Sequence, residues 1–131
     1  MAARYAETHR RSIEDPESFW AEAAAEIDWA KRWSRVLDDS RKPFYRWFPH
    51  AELNTCYNAL DRHADGGRGD QPALIYDSPA TRTVRTYTYR QLRDEVARFA
   101  GALARLGVTK GDRVTIYMGR VPETPLVLAI L

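Results

Sequence analysis

A single cysteine, Cys56, among 131 residues excludes a disulfide framework and a cysteine-based zinc cluster. It points to a reducing compartment, and the cytoplasm is the expected location. No apolar run approaches the roughly 18–20 residues that a membrane span requires. Neither charge dominates: 20 basic against 18 acidic residues leave a net +2, far short of a nucleic-acid binder's electrostatic footprint. Neither nucleic acid nor a membrane is therefore expected as a partner. Arg10-Arg11 is followed by Ile13-Glu14-Asp15-Pro16 instead of an apolar stretch, so it is not read as a twin-arginine leader. The histidines His9, His50 and His63 are scattered and form no metal-ligand spacing.

What is present falls into two textures. Residues 1–53 are rich in tryptophan and charge and poor in strand pattern. Tyr5–Ser12 suits a short helix. Asp15-Pro16-Glu17 is a helix start, with an N-cap acceptor, a proline at the first position and an acid in the first turn. Phe19, Trp20, Ala23, Ala24 and Ile27 then share one face, which predicts an amphipathic helix over Asp15–Ile27. The stretch holding Trp29, Trp33, Val36, Leu37, Phe44, Tyr45, Trp47 and Phe48 reads as irregular, broken by Pro43 and Pro49. It is expected to form an aromatic arm that lies over another domain.

Residues 54–131 read as the start of an α/β domain. Asn54 is placed to cap a helix carrying Tyr57 and Leu60, which ends in the loop Asp65-Gly66-Gly67-Arg68-Gly69-Asp70. Pro72–Asp77 and Val84–Tyr89 predict a hairpin around Ser78-Pro79. Thr88-Tyr89-Arg90-Gln91 is a capping box. It opens a helix whose stripe Leu92, Val96, Phe99, Leu103 and Leu106 is expected to be buried against the strands on either side. Gly107 ends this helix and Lys110-Gly111-Asp112 turns the chain. Arg113–Met118 predicts a strand with Val114, Ile116 and Met118 on one face, and Val121–Leu131 opens a further helix at Pro122-Glu123. Strand, loop and helix start make two-thirds of a βαβ unit.

The polar motifs are weak as chemistry. Gly66-Gly67-Arg68-Gly69 joins no strand to a helix and no Lys-Ser/Thr follows it, so a surface loop is preferred to a phosphate cradle. Asp61-Arg62-His63 reads as a helix-end cluster that satisfies its own hydrogen bonds. Cys56 lacks an accompanying base and reads as a small buried hydrophobe. Arg82, Arg85, Arg90 and Arg93 read as a solvated face.

One ordered set of motifs is more specific. Asp70-x-Pro72-Ala73-Leu74-Ile75, Thr86-Tyr87-Thr88-Tyr89-x-x-Leu92, Leu106-Gly107-Val108-x-x-Gly111-Asp112-Arg113-Val114 and Pro122-Glu123 follow one another. In that order and spacing they resemble the start of the AMP-forming acyl-CoA synthetases and related adenylate-forming enzymes. Upstream, Phe19-Trp20, Trp29, Val36-Leu37-Asp38, Trp47-Phe48 and Asn54-x-x-x-Asn58-x-x-Asp61-Arg62-His63 resemble the N-terminal extension of the acetyl-CoA and propionyl-CoA synthetase group. The wording Thr55-Cys56-Tyr57-Asn58-Ala59-Leu60, with Tyr76-Asp77-Ser78-Pro79, is closer to propionyl-CoA synthetase. Met118-Gly119-Arg120, Pro125 and Pro49-His50-Ala51 depart from the family's pattern.

The resemblance implies an extension over 1–63 and the beginning of the AMP-binding domain over 64–131. The fold class is then α/β: a helical and irregular aromatic arm, followed by the hairpin, helix, strand and helix start of a large N-terminal domain, incomplete here. It implies a parent ligase acting on a short carboxylate, ATP and coenzyme A, with Mg²⁺ at the phosphates. The family's catalytic and binding groups lie downstream, so the resemblance assigns no catalytic, cofactor-binding or metal-binding residue to this chain, and the chain alone is expected to be inactive and to bind no cofactor. The uncapped apolar run at its end suggests the front piece of a longer protein, with self-association expected through an exposed apolar patch at 126–131. A second reading remains beside it: a standalone, non-enzymatic interaction module that binds partners through the aromatic arm.

Overall fold

The computed structural model describes residues 2–119 and 121–125. Two compact units divide the chain, Met1–Asn54 and Thr55–Leu131.

In the first unit, α1 (Ala2–Glu14) and α2 (Pro16–Ala24) pack as a helical pair. Asp15 separates them. Its backbone N–H donates to the Arg11 carbonyl of α1, at 3.0 Å, while its carboxylate accepts from Ser18 N–H and caps α2. The helix stops at Ala24, short of the expected Ile27, because the Trp29 indole donates to the Ala24 carbonyl at 2.8 Å and turns the chain there.

The following stretch is not irregular, as its composition suggested. β1 (Trp29–Lys31) pairs antiparallel with β4 (Glu52–Leu53), and β2 (Leu37–Arg41) with β3 (Phe44–Trp47). Pro43 does not break β2 and β3 but turns them, since Arg41 pairs directly with Phe44 and the turn asks nothing of the missing N–H. The rings of Trp29, Trp33 and Phe48 pack on one another with centroids 5.1–5.4 Å apart. The arm thus buries part of its aromatic surface within itself.

The second unit begins with helical residues from 55 onward, wound in wide turns closed by i→i+5 hydrogen bonds at Tyr57–Asp61 and Ala64–Arg68. The hairpin β5 (Pro72–Ser78) and β6 (Thr83–Thr88) follows, in register Ile75 to Thr86 and Asp77 to Val84. The helix α3 (Tyr89–Arg105) closes at its start with a complete capping box. The Thr88 hydroxyl accepts from Gln91 N–H at 3.2 Å, and the Gln91 side chain accepts from Thr88 N–H at 3.0 Å. At its far end Gly107, with φ +87°, permits a Schellman turn in which Val108 N–H reaches the Leu103 carbonyl and Gly107 N–H the Ala104 carbonyl. Thr88→Ala removes one half of the capping box and is expected to lower stability by about 0.5–2 kcal/mol, read from urea unfolding.

The core consists of Leu60, Leu92 and Val96, with Cys56, Ala73, Leu74, Tyr87 and Tyr89 packed around it. The expected five-residue stripe is therefore only partly buried. Leu92 and Val96 lie inside, Leu103 is half-buried, Phe99 is 38% exposed, and Leu106 is 81% exposed. Sequence period aligned these residues correctly, but the hairpin and the wide turns cover only the first part of the helix.

The expected strand Arg113–Met118 forms no strand and joins no sheet among the described residues. Its expected face is only partly kept: Val114 and Ile116 are half-buried, but Met118 is 46% exposed, and Arg113, Thr115 and Tyr117 are exposed too. Of the next helix, a single turn over 123–125 is described behind a buried Pro122. Arg120 and the apolar patch at 126–131 lie outside the described residues.

Candidate functional site

The concentration of polar side chains that sequence singled out lies in the second unit, where the glycine-rich turn meets the start of α3. A helix N-terminus offers four unpaired N–H groups and attracts anions. Here these donors are already engaged. Tyr89 N–H donates to the Gln71 carbonyl at 3.1 Å and Arg90 N–H to the Gly69 carbonyl at 3.0 Å. Gln91 N–H is held by Thr88. The glycine-rich turn thus presents carbonyl oxygens to α3, which is the opposite of a phosphate cradle.

Backbone conformation requires glycine at one place in this turn. Gly67 has φ +88°, a conformation that L side chains rarely adopt. At Gly69 an added Cβ falls 2.8 Å from Arg90 Nη2, the end of a flexible side chain that can shift, and 3.2 Å from the Ala64 carbonyl oxygen within the same turn.

Arg82, Arg85 and Arg90 are exposed, as a solvated face requires, and Arg93 is half-buried; the two arginines at the start of α3 are nevertheless paired. Arg93 Nη1 lies 2.9 Å from Asp65 Oδ1, and Arg90 Nε lies 3.5 Å from Asp70 Oδ1. Each basic residue of the helix start therefore meets a carboxylate of the glycine-rich turn. Such partly exposed pairs contribute at most about 1 kcal/mol each, and they fix the turn's orientation more than they stabilise it. Arg68 stacks over the Tyr89 ring at 5.3 Å and donates to Gln71 Oε1 at 3.1 Å. His63 packs against the other part of this cluster, with its ring 5.3 Å from Tyr89 and its Nδ1 3.5 Å from Arg68 Nη1. Arg62 donates to Asn58 Oδ1 at 3.2 Å. Arg82 and Arg85 are elsewhere, at the hairpin tip and on β6.

The remaining singled-out residues are not brought to this cluster. His9 stacks on Tyr5 within α1, at 6.1 Å, and His50 occupies a positive-φ turn before β4. Among the described residues no group of three or more His, Cys, Asp or Glu side chains is arranged to hold a metal ion.

Cys56 has a neighbour that the sequence reading missed. The wide turn brings residue i+5 alongside residue i, and this sets Asp61 beside the thiol. Burial, together with the Asp61 charge and hydrogen bond, pushes the Cys56 thiol up from its ordinary value. A raised pKa leaves less thiolate at neutral pH, which is the reverse of nucleophile activation. The native chain is expected to react with iodoacetamide more slowly than free cysteine, with the difference lost in denaturant, as followed by mass spectrometry.

The arrangement as a whole secures a turn to a helix. It supplies no acid–base pair, no activated nucleophile and no open set of amide donors among the described residues.

Two family models cover nearly all of the chain. Acetyl-coenzyme A synthetase N-terminus matches residues 5–59, and AMP-binding enzyme matches residues 60–131. The human acyl-CoA synthetase short-chain family member 3, mitochondrial, is 47% identical over 112 residues, covering 86% of this chain and 16% of that protein. The acetyl-coenzyme A synthetase of Magnetococcus marinus is 47% identical over 127 residues, covering 95% of this chain and 20% of that protein. Among solved structures, acetoacetyl-CoA synthetase from Streptomyces lividans superposes with a TM-score of 0.82 at 36% identity, covering 93% of this chain and 19% of that one. The chain thus spans a fifth or less of the length of these relatives.

Proposed function

We propose that this chain, which belongs to the AMP-binding enzyme family, serves as the N-terminal portion of an ATP-dependent acyl-CoA synthetase that activates propionate or acetate. The observation that carries the reading is the unbroken succession of the two family matches, residues 5–59 and then 60–131, in one chain. The reaction has two steps. A carboxylate oxygen attacks the α-phosphorus of ATP and expels pyrophosphate, giving an acyl-AMP. The coenzyme A thiol then attacks the acyl carbonyl, its proton passes to solvent, and AMP leaves.

Both steps demand positive charge and aligned donors at the phosphates. The cluster at the start of α3 does not fit that demand, because its amides and guanidinium groups are paired internally. On this reading the phosphate and Mg²⁺ contacts belong to the further length that the longer relatives possess, and we assign none to a residue here. The role left to this chain is architectural. The lone cysteine supports a reducing compartment, with the cytoplasm as the proposed location.

The test is the polypeptide encoded in frame with these residues. It is expected to carry a Gly/Ser/Thr-rich loop with a lysine downstream, and to form an acyl-CoA from ATP, coenzyme A and either propionate or acetate. A complete polypeptide that lacks the loop, or that activates neither acid, would overturn the reading. The ratio of turnover with the two acids decides the acyl preference.

A further inference from the structure

Asp65-Gly66 is the one Asp-Gly step in the sequence, which holds no Asn-Gly. A glycine after an aspartate leaves the carboxyl carbon open to attack by the following backbone nitrogen, because no Cβ stands in the way. Both residues are exposed, and a Cβ built on Gly66 meets nothing within 4 Å. The wide turn is interrupted here, with non-helical backbone at Gly66 (φ −78°, ψ 17°) and Gly67 (φ 88°, ψ 3°). An exposed, interrupted turn opens at low cost. One contact holds the reactive side chain: Arg93 Nη1 donates to Asp65 Oδ1 at 2.9 Å, from a half-buried position on α3.

We infer that Asp65-Gly66 is a site of isoaspartate formation, and that Arg93 is the positioning residue that restrains it. The inference is independent of the enzymatic reading. The Gly66 nitrogen attacks the carbon of the protonated Asp65 carboxyl; an N–Cγ bond forms and a Cγ–O bond breaks. The amide proton and the carboxyl hydroxyl leave together as water, giving a succinimide ring. Water then adds to either imide carbonyl. Addition at Cγ restores aspartate, whereas addition at the main-chain carbonyl breaks the original peptide bond and routes the chain through Cγ. Water is the only co-reactant. A carboxyl bonded to Arg93 is not free to close the ring, so the ion pair acts as a clasp on the reaction. The product lengthens the main chain by one carbon just ahead of Gly69, whose carbonyl accepts from Arg90 N–H at 3.0 Å, and so disturbs the join between turn and helix.

The experiment ages the full 131-residue chain in warm neutral buffer and follows the tryptic peptide His63–Arg68, in which Asp65 is the only aspartate. Isoaspartate is read as a peptide of unchanged mass and shifted retention that accepts methyl groups from an isoaspartyl methyltransferase. The native parent is expected to form it slowly. Arg93→Ala is expected to raise the rate about two- to fivefold, the shift in open population that loss of one partly exposed ion pair permits. Arg90→Ala removes the Asp70 pair instead and is expected to keep the parent rate. Gly66→Ala, for which there is room, is expected to slow the reaction. In denaturant the parent and Arg93→Ala are expected to age equally, and circular dichroism of each native variant to match the parent. Equal native rates for the parent and Arg93→Ala overturn the proposal. So does equal acceleration by Arg90→Ala, which places control in general loosening of the turn, or an aged native chain whose isoaspartate lies wholly at other aspartates.

Discussion

The isolated chain is expected to catalyse no ATP–pyrophosphate exchange and to form no acyl-CoA with acetate or propionate. The exchange requires that the charge developing at the α-phosphorus be spread over positioned cations and amide donors. Its three lysines illustrate what is missing. Lys42 is paired with Asp39 at 2.9 Å and Lys31 lies 3.8 Å from Glu52, both on the surface of the first unit. The third, Lys110, occupies the turn that follows α3, and no glycine-rich loop precedes it. The one glycine-rich turn directs carbonyls, not amides, at the neighbouring helix, and its Asp65 and Asp70 are paired with Arg93 and Arg90 of that helix. An anion entering there must displace four protein contacts before gaining any. Radiolabelled pyrophosphate exchange above that of a heat-inactivated control, from a rigorously purified chain, would refute this and would locate a phosphate site that the described geometry does not contain.

The parts of the fold legible in the sequence were those fixed by neighbours in the chain. The capping box at Thr88 and Gln91, the Schellman glycine at 107 and the strand-like runs of β5 and β6 on either side of a turn each act within a few residues, so composition and spacing suffice to read them. The strands of the first unit were not legible for the converse reason. β1 finds its partner in β4, more than twenty residues on, and β3 reads Phe-Tyr-Arg-Trp, aromatic on both faces and therefore without alternation. The wide turns at Tyr57–Asp61 and Ala64–Arg68 escaped because nothing in an apolar spacing separates i→i+4 from i→i+5 winding. The pairing of Asp65 with Arg93 spans 28 residues, a separation that no local pattern encodes. What could have found it is the coincidence of two acids in the glycine-rich turn and two bases in the next helix's first turns.

The burial gradient along α3 yields the sharpest stability test. Leu92→Ala is expected to destabilise the second unit by about 2–5 kcal/mol, the range for deleting a fully packed leucine and leaving a cavity. Leu92 is only 7% exposed and belongs to the cluster with Leu60 and Val96. Against a total of about 5–15 kcal/mol for an ordinary domain, that loss removes a large share of the stability. Leu103→Ala, at a half-buried position, is expected to cost less. Leu106→Ala, at a position 81% exposed, is expected to stay within about 0.5 kcal/mol. The gradient matters more than any single value, because periodicity alone places all three leucines on one stripe and predicts equal losses. Hydrogen exchange of the α3 amides is the suitable readout. Intrinsic tryptophan fluorescence is not, since all four tryptophans, Trp20, Trp29, Trp33 and Trp47, lie in the first unit. Equal destabilisation by the three alanines would mean that the far turns of α3 are covered in solution, and that the stripe is a single continuous core.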